Sequence, residues 1–212
     1  MSGEAALREE LCALGRSLHA RALTHGSTGN LSARCGDAWL LTPTGSNLGA
    51  LDPARLSKLD ANGKLLSGDP PSKEHFLHLA MYQERARSHA VIHLHSTHSV
   101  ALSLLDDVDP ADVLPPLTAY YVMRIGTLPL VPYYPPGDFA LADAASLLAG
   151  RHHALLLANH GPIVSGTSLS AAADAIEELE ATARLFLLLG ERRVRALTTV
   201  QVDELRKRFP AA

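Results

Sequence analysis

The sequence predicts one α/β domain, in which a sheet of mostly short strands is covered by helices on the outside. Three observations support this prediction. A length of 212 residues suits a single domain with a full core. Strand-like and helix-like segments alternate along the chain, and no repeat, low-complexity tract or obvious linker divides it. Apolar residues make up 47% and charged residues 19%, which is typical of a compact folded protein.

The first 85 residues contain two helical patterns with short strands between them. Leucines recur at helical spacing from Leu7 to Leu18, which predicts an amphipathic first helix. The stretch 24–32 is rich in Gly, Ser and Thr and is not expected to be a regular helix. Residues 39–42 are typical of a short strand. Further signals predict a helical turn at Asp52-Pro53, a hairpin at Asn62-Gly63 and a helix with Ser72 as its N-cap.

The rest of the chain alternates in the same way. Residues 90–95 predict a strand and residues 97–105 a helix leaving it. The Pro-rich stretch 115–136 is expected to hold short strand-like pieces. Residues 154–158 predict a buried strand that ends at the turn Asn159-His160-Gly161-Pro162. A long helix over 169–189 and a last amphipathic helix over 202–209 complete the prediction.

Composition excludes several classes of protein. The net charge is −3 and the basic residues form no dense run, so no nucleic acid partner is predicted. Cys12 and Cys35 lie far apart, which argues against a disulfide framework or a thiolate zinc site and fits a reducing compartment. The first fifteen residues do not resemble a signal peptide, and no apolar stretch is long enough to span a bilayer, so no membrane partner is predicted. We therefore expect a cytoplasmic enzyme or binding module.

Three of the eleven histidines form a candidate metal site. His93 and His95 alternate on a predicted strand, so both side chains should leave one face of the sheet, with Cα atoms roughly 6.6 Å apart. His160 follows another strand and lies in a turn that can bring its ring to the same point. Three imidazoles with an open fourth position are a common catalytic zinc arrangement. From spacing alone, a metal site and ordinary strand-surface histidines both remain open.

The other histidines are weaker candidates for metal ligands. His75 and His78 share one helix face and could grip a metal, but a helical pair without a third partner is expected to be solvated. His98 is expected to pack or to support the site. The remaining ones show no metal-binding pattern: His19, His25, His89, His152 and His153.

Five motifs occur in an order that resembles one known family. They are Gly29-Asn30-Leu31-Ser32, Leu41-Thr42-Pro43-Thr44-Gly45, Pro71-Ser72-Lys73-Glu74, His93-Leu94-His95-Ser96 and Asn159-His160-Gly161. The set is similar to the class II aldolase and epimerase family. The resemblance implies a class II aldolase-like fold over residues 1–212, an α/β single domain whose central, mainly antiparallel β-sheet is flanked by helices. It also implies a homotetramer with its sites at subunit interfaces.

The same resemblance assigns roles to individual residues. It implies one Zn²⁺ per subunit, or another divalent ion, held by His93, His95 and His160. Glu74 would be the catalytic acid/base and could occupy the fourth metal position before substrate arrives. The elements for substrate phosphate fall on Asn30, Thr44, Gly45 and Ser72, with plain turn geometry and N-capping as the alternative interpretation. Lys73 would add a positive charge at the substrate, and Tyr120 is the nearest equivalent of a proton-donating tyrosine from a neighbouring subunit.

One departure from the sugar-phosphate aldolases narrows the function. Those enzymes commonly have Ser-Ser-Glu where this chain has Ser72-Lys73-Glu74, and together with HLHSTHS and the Pro-Tyr-Tyr run this form is most similar to the 3-oxo-tetronate 4-phosphate decarboxylases. The resemblance implies a lyase that converts this phosphorylated sugar acid to dihydroxyacetone phosphate and CO2. The alternatives are a fuculose-phosphate-like aldolase, a 4-epimerase, a thiosugar-phosphate dehydratase, a non-catalytic domain like the adducin head, and a purely structural zinc site.

Overall fold

The computed structural model describes residues 3–135 and 137–209. The helices are α1 (Gly3–Ala20), α2 (His75–Glu84), α3 (Thr97–Leu102), α4 (Ala119–Arg124), α5 (Phe139–Ala149), α6 (Leu169–Leu189) and α7 (Thr199–Arg208). The strands are β1 (Asn30–Cys35), β2 (Ala38–Leu41), β3 (Ser57–Leu59), β4 (Leu65–Ser67), β5 (Ala90–His93), β6 (Leu130–Val131), β7 (Ala154–Leu157) and β8 (Gly161–Gly166). Short 3₁₀ turns lie at Leu48–Ala50 and Pro53–Arg55.

The eight strands form one sheet in the order β4-β3-β2-β1-β5-β8-β7-β6. Every neighbouring pair among these strands is antiparallel except β6 with β7. The predicted α/β class with a mainly antiparallel sheet is therefore confirmed. No helix in the described part of the chain is both long and apolar enough to cross a membrane.

Two apolar cores cover the two faces of the sheet, because alternate residues of a strand point in opposite directions. Ala90 and Ile92 of β5 join the larger core, to which α1, α3, α4 and α6 also contribute. Val91 joins the smaller core with α2 and α5. His93 shares the parity of Val91, so it emerges on the face that α2 covers. This places the end of β5 beside the start of α2.

The predicted strand over 90–95 ends two residues early. β5 stops at His93, where its pairing with β1 ends at Asn30 and its pairing with β8 ends at Ile163. On the β1 side the chain turns at Gly29, and on the β8 side Pro162 has no N–H for a further ladder bond. His95 therefore lies beyond the sheet, and the helix α3 that follows is also shorter than predicted.

Other predictions differ from the structure for local reasons. Ser72 is not the N-cap of α2, which begins at His75 with Glu74 at the N-cap position. The Pro-rich stretch 115–136 contains the helix α4, capped by the Thr118 side chain, and only the two-residue strand β6. The helix α5 and the strands β1 and β8 were not predicted at all. The long helix α6 has the predicted bounds, and the hairpin at Asn62-Gly63 joins β3 to β4.

Candidate metal centre

The rings of His93, His95 and His160 converge beyond the end of β5. Their centroids form a nearly equilateral triangle with sides of 4.9, 4.8 and 4.7 Å. The Nε2 atoms of His93 and His95 lie 3.0 Å apart. His95 reaches this point even though it lies beyond the end of β5 and not within a strand, as was predicted.

The side chain of His93 is oriented by the neighbouring strand. Its Nδ1 lies 2.9 Å from the carbonyl oxygen of Pro162, the second residue of β8. A carbonyl can only accept a hydrogen bond, so Nδ1 carries the proton and Nε2 offers its lone pair to the centre of the triangle. A histidine that ligates a metal usually donates its other N–H in this way.

Two glycines allow the backbone to pack tightly around His93 and His95. A Cβ on Gly29 would lie 2.8 Å from the carbonyl oxygen of His93, and a Cβ on Gly161 would lie 2.4 Å from that of Leu94. Both glycines also have positive φ, at +76° and +154°. Only glycine fits this combination of conformation and close approach. The two turns hold the segment His93-Leu94-His95 from either side.

Glu74 closes the group on the side of α2. Its Oε1 lies 3.1 Å from Nε2 of His160, and its Oε2 lies 3.5 Å from Nε2 of His93. Asn30 donates a hydrogen bond of 2.8 Å to Oε2. Burial raises the pKa of the Glu74 carboxyl, but His93, His160 and Asn30 outweigh that effect, and the net pKa lies below the ordinary value. Glu74 is therefore ionised at neutral pH.

The chemistry of these four residues fits a divalent cation. Their ligand atoms all lie within 4.8 Å of one another. Two nitrogens on a tetrahedral zinc ion at about 2.0–2.1 Å would be roughly 3.3 Å apart, close to the spacing of His93 and His95. Burial lowers the pKa of His93 to about 3 and that of His95 to about 4, so both rings are neutral at pH 7 and need lose no proton to bind an ion.

An open cleft of about 730 Å³ leads to this group. Five residues predicted to bind substrate line it: Asn30, Thr44, Gly45, Ser72 and Lys73. Ser27 and Thr28, from the Gly-rich turn before Asn30 that was expected to face the phosphate, also line the cleft, whereas His25, Tyr133, Tyr134 and Asn159 had no predicted role in substrate binding. The run of tyrosines in a Pro-rich stretch was the available signal for Tyr133 and Tyr134. Among the lining residues in the described part of the chain, Lys73 is the only lysine or arginine and Glu74 is the only acidic residue.

Tyr120 is not in the cleft of its own chain. It lies on α4 with 60% of its surface exposed. Its predicted role, as a proton donor to a neighbouring subunit, requires that exposed position and remains a prediction.

The paired histidines of α2 have a different environment from the one predicted. His78 is fully buried, not solvated, and both its ring nitrogens are hydrogen-bonded. His75 is half-buried, and its Nδ1 lies 3.1 Å from the carbonyl oxygen of Ser72. His98 supports the segment after His95, because the Glu180 carboxylate accepts hydrogen bonds from its N–H and its ring and from Ser99.

Comparisons with known proteins agree with this geometry. The family described as "Class II Aldolase and Adducin N-terminal domain" matches residues 9–187. A relative named 3-oxo-tetronate 4-phosphate decarboxylase, from Escherichia coli strain K12, is 53% identical over 204 residues, which are 96% of each chain. A more distant relative, the L-fuculose phosphate aldolase of Haemophilus influenzae, is 36% identical over 79% of this chain and 76% of its own.

Among solved structures, the fold is similar to that of the Escherichia coli protein YgbL. The TM-score is 0.94 and the sequence identity 51%, and the match covers 96% of this chain and 99% of that one.

Proposed function

The chain belongs to the class II aldolase and adducin N-terminal domain family and is a lyase of its decarboxylase branch, and we propose that it is a zinc-dependent enzyme that decarboxylates 3-oxo-tetronate 4-phosphate. The products would be dihydroxyacetone phosphate and CO2. The observation that carries this proposal is the convergence of three histidines and one carboxylate beside a cleft. A non-catalytic interaction domain has no need of such a group.

The choice of a decarboxylase over an aldolase rests on similarity and on charge. The chain shares 53% identity with a relative named as the decarboxylase and 36% with one named as an L-fuculose phosphate aldolase. A phosphorylated sugar acid carries a carboxylate in addition to its phosphate, and Lys73 supplies a positive charge at the rim of the cleft. An aldolase substrate has no such carboxylate to neutralise.

The residues of the cleft divide the work between them. Breaking the bond from the carboxylate carbon to C2 leaves an electron pair that must be accommodated on the keto oxygen. A bound zinc ion supplies Lewis acidity at that oxygen, a contribution of several kcal/mol. Glu74 lies beside the histidines and is ionised in the resting site, so it first takes up one proton from the solvent. After CO2 departs it transfers that proton to C2 and returns to the carboxylate. General acid–base help of this kind contributes roughly 10²–10⁴-fold to the rate.

The phosphate would bind among the turns that line the cleft. Thr28-Gly29 and Thr44-Gly45 form two of these turns, and the Ser72 hydroxyl lies beside them. Turns of this kind can direct backbone N–H groups at an anion. Asn30 is less available than its motif implied, because its amide already donates to Ser72 and Glu74.

Assembly and location are further parts of the proposal. A homotetramer would bring the exposed Tyr120 of one subunit to the cleft of another as a proton donor. A cytoplasmic location suits Cys12 and Cys35, neither of which forms a disulfide.

The direct test is product analysis with zinc-loaded protein. Incubation with 3-oxo-tetronate 4-phosphate in D2O should release CO2 and give dihydroxyacetone phosphate with one deuterium on the hydroxymethyl carbon. L-fuculose 1-phosphate serves as the competing substrate. Cleavage of that ketose phosphate, without CO2 release from the acid, would assign the chain to the aldolases. Inversion of a pentulose phosphate would assign it to the epimerases.

A further inference from the structure

We propose that His78 is a positioning residue that acts through Asn30 to fix the orientation of the Glu74 carboxylate. This inference rests on the proposed function for the role of Glu74, but its geometry does not. His78 lies on α2, one turn after Glu74, and does not line the cleft. It touches neither the histidine triangle nor the substrate space, so its influence passes through its hydrogen-bond partners.

A continuous hydrogen-bonded chain links the interior to the cleft. The ring of His78 has Ser32 Oγ 2.7 Å from Nδ1 and Asn30 Oδ1 next to Nε2. Asn30 Nδ2 then reaches Glu74 Oε2 at 2.8 Å and Ser72 Oγ at 3.1 Å. His78 and Ser32 are fully buried, and Asn30 and Ser72 are buried at the wall of the cleft, so the inner bonds of the chain are shielded from water.

The direction of every bond in this chain follows from the orientation of the Asn30 amide. Its nitrogen faces Glu74 Oε2 and Ser72 Oγ and donates to both, so its Oδ1 faces His78 and accepts there. Nε2 of His78 must then be the protonated nitrogen, and Nδ1 must accept from the hydroxyl of Ser32. Burial lowers the pKa of His78 to about 3, so the ring stays neutral and holds a single proton.

The same logic distinguishes the two oxygens of Glu74. Oε2 is held by the Asn30 amide, whose nitrogen has no lone pair to accept a proton in return. Oε1 is the oxygen beside His160, with no donor from α2 or β1 on it in the described structure. Proton transfer through Oε1 leaves the chain of hydrogen bonds unchanged. His78 and Asn30 therefore determine which oxygen faces the reacting carbon.

The sequence positions of these residues explain how the chain is held. Asn30 and Ser32 are two apart on β1 and share one face of the sheet, and α2 packs across that face. Removal of the His78 ring leaves the buried carbonyl of Asn30 without a donor, which is unfavourable and so favours rearrangement of Asn30. Rearrangement of Asn30 would release Oε2.

The first experiment is independent of substrate. The zinc-loaded protein is labelled with ¹⁵N-histidine, and the His78 signals are assigned by comparison with a His78→Phe variant. We expect a protonated Nε2 and an unprotonated Nδ1. A proton on Nδ1, or a doubly protonated ring at pH 7, would overturn the inference whatever reaction the enzyme catalyses.

The second experiment measures kcat, KM and zinc per chain in three variants. His78→Phe should lower kcat roughly 10–100-fold with KM within threefold and one zinc retained, as expected for loss of a supporting residue. His78→Gln can place an N–H where Nε2 was. If His78→Phe loses a hundredfold in kcat, the kcat of His78→Gln should be at least tenfold higher than that of His78→Phe. If the loss is smaller, His78→Gln should recover most of it. His153→Phe is the matched control, because this half-buried ring lies away from the cleft and contacts Ser165. Its kcat should stay within twofold.

Three results of this second experiment contradict a positioning role. The first is a kcat within twofold of wild type in His78→Phe. The second is a loss of zinc in proportion to kcat, and the third is no recovery in His78→Gln; either of the last two makes His78 a structural residue only. If wild-type protein releases no CO2, the proposed function fails, and the same comparison is made with the ketose phosphate it does cleave. If it cleaves neither, the tautomer of His78 decides alone.

Discussion

Substitution of Glu74 by glutamine should abolish most of the activity while leaving the metal in place. The structure suggests why the change is a clean one. The amide oxygen of the new side chain can keep the 2.8 Å hydrogen bond from Asn30, and its nitrogen then occupies the place of Oε1, 3.1 Å from Nε2 of His160. Shape and burial are conserved, but the group can no longer carry a proton between solvent and substrate.

The expected loss follows from the role of a general acid. Removal of one such group lowers kcat by roughly 10²–10⁴-fold, which corresponds to about 3–5 kcal/mol in the activation free energy. KM should change little, because the phosphate and carboxylate contacts are elsewhere. The three histidines remain, so elemental analysis should still find one metal ion per chain.

The assay is the initial rate of CO2 release from protein of measured metal content. Glu84→Gln is the matched control, since Glu84 is an exposed acid at the far end of the same helix. That variant should match wild type. A Glu74→Gln enzyme that keeps more than a tenth of wild-type kcat, with one metal per chain, would refute the assignment of Glu74 as the proton donor.

Three further predictions follow from the same geometry. His95→Ala should weaken zinc affinity more than 100-fold in a chelator competition, since loss of even a supporting residue costs roughly 10–100-fold; a smaller loss would remove His95 from the ligand set. Lys73→Met should raise KM roughly tenfold, the cost of about 1.5 kcal/mol for a charge-assisted contact, with kcat within threefold, and an unchanged KM would place the substrate carboxylate elsewhere. The unfolding free energy of metal-free protein should fall as pH drops below 6.5, because the pKa of His78 is about 3 in the folded chain and the unfolded chain takes up the proton first. The stability that the buried, neutral His78 contributes is fully present above pH 6.5. It is lost toward pH 3 at up to about 1.4 kcal/mol per pH unit. Urea titrations of His78→Phe should therefore show a shallower pH dependence than those of wild type.

The convergence of His93, His95 and His160 was predictable because the information for it is largely local. Two histidines with one residue between them, after an apolar run, indicate rings that meet near the end of a strand. The turn at His160 is marked by Asn159 and Gly161. Asn159 has a φ of +57°, which asparagine tolerates better than most residues. The rings converge even though β5 stops at His93. The strand end was mispredicted because it depends on where the neighbours β1 and β8 end.

Other features were missed because they depend on tertiary partners. β8 begins with Gly161-Pro162, a pair that usually marks a loop, yet it is a central strand between β5 and β7. The motif around Asn30 indicates a phosphate site, but the amide is bound to Glu74, which lies 44 positions away. His78 looks like a surface residue on the helix until β1 is packed over it. No periodic pattern in the sequence predicts these contacts between distant residues.

The position of Pro162 against His93 has a consequence for how the protein matures. These two residues are 69 positions apart, and the carbonyl of one orients the ring of the other. On the ribosome, a nascent chain that has not yet emerged past β8 has neither the third imidazole nor this orienting contact. If these residues form the proposed zinc site, high-affinity capture of the ion would wait until β8 has emerged and paired with β5. Metal uptake would then report completion of the sheet, and truncated products would remain unloaded.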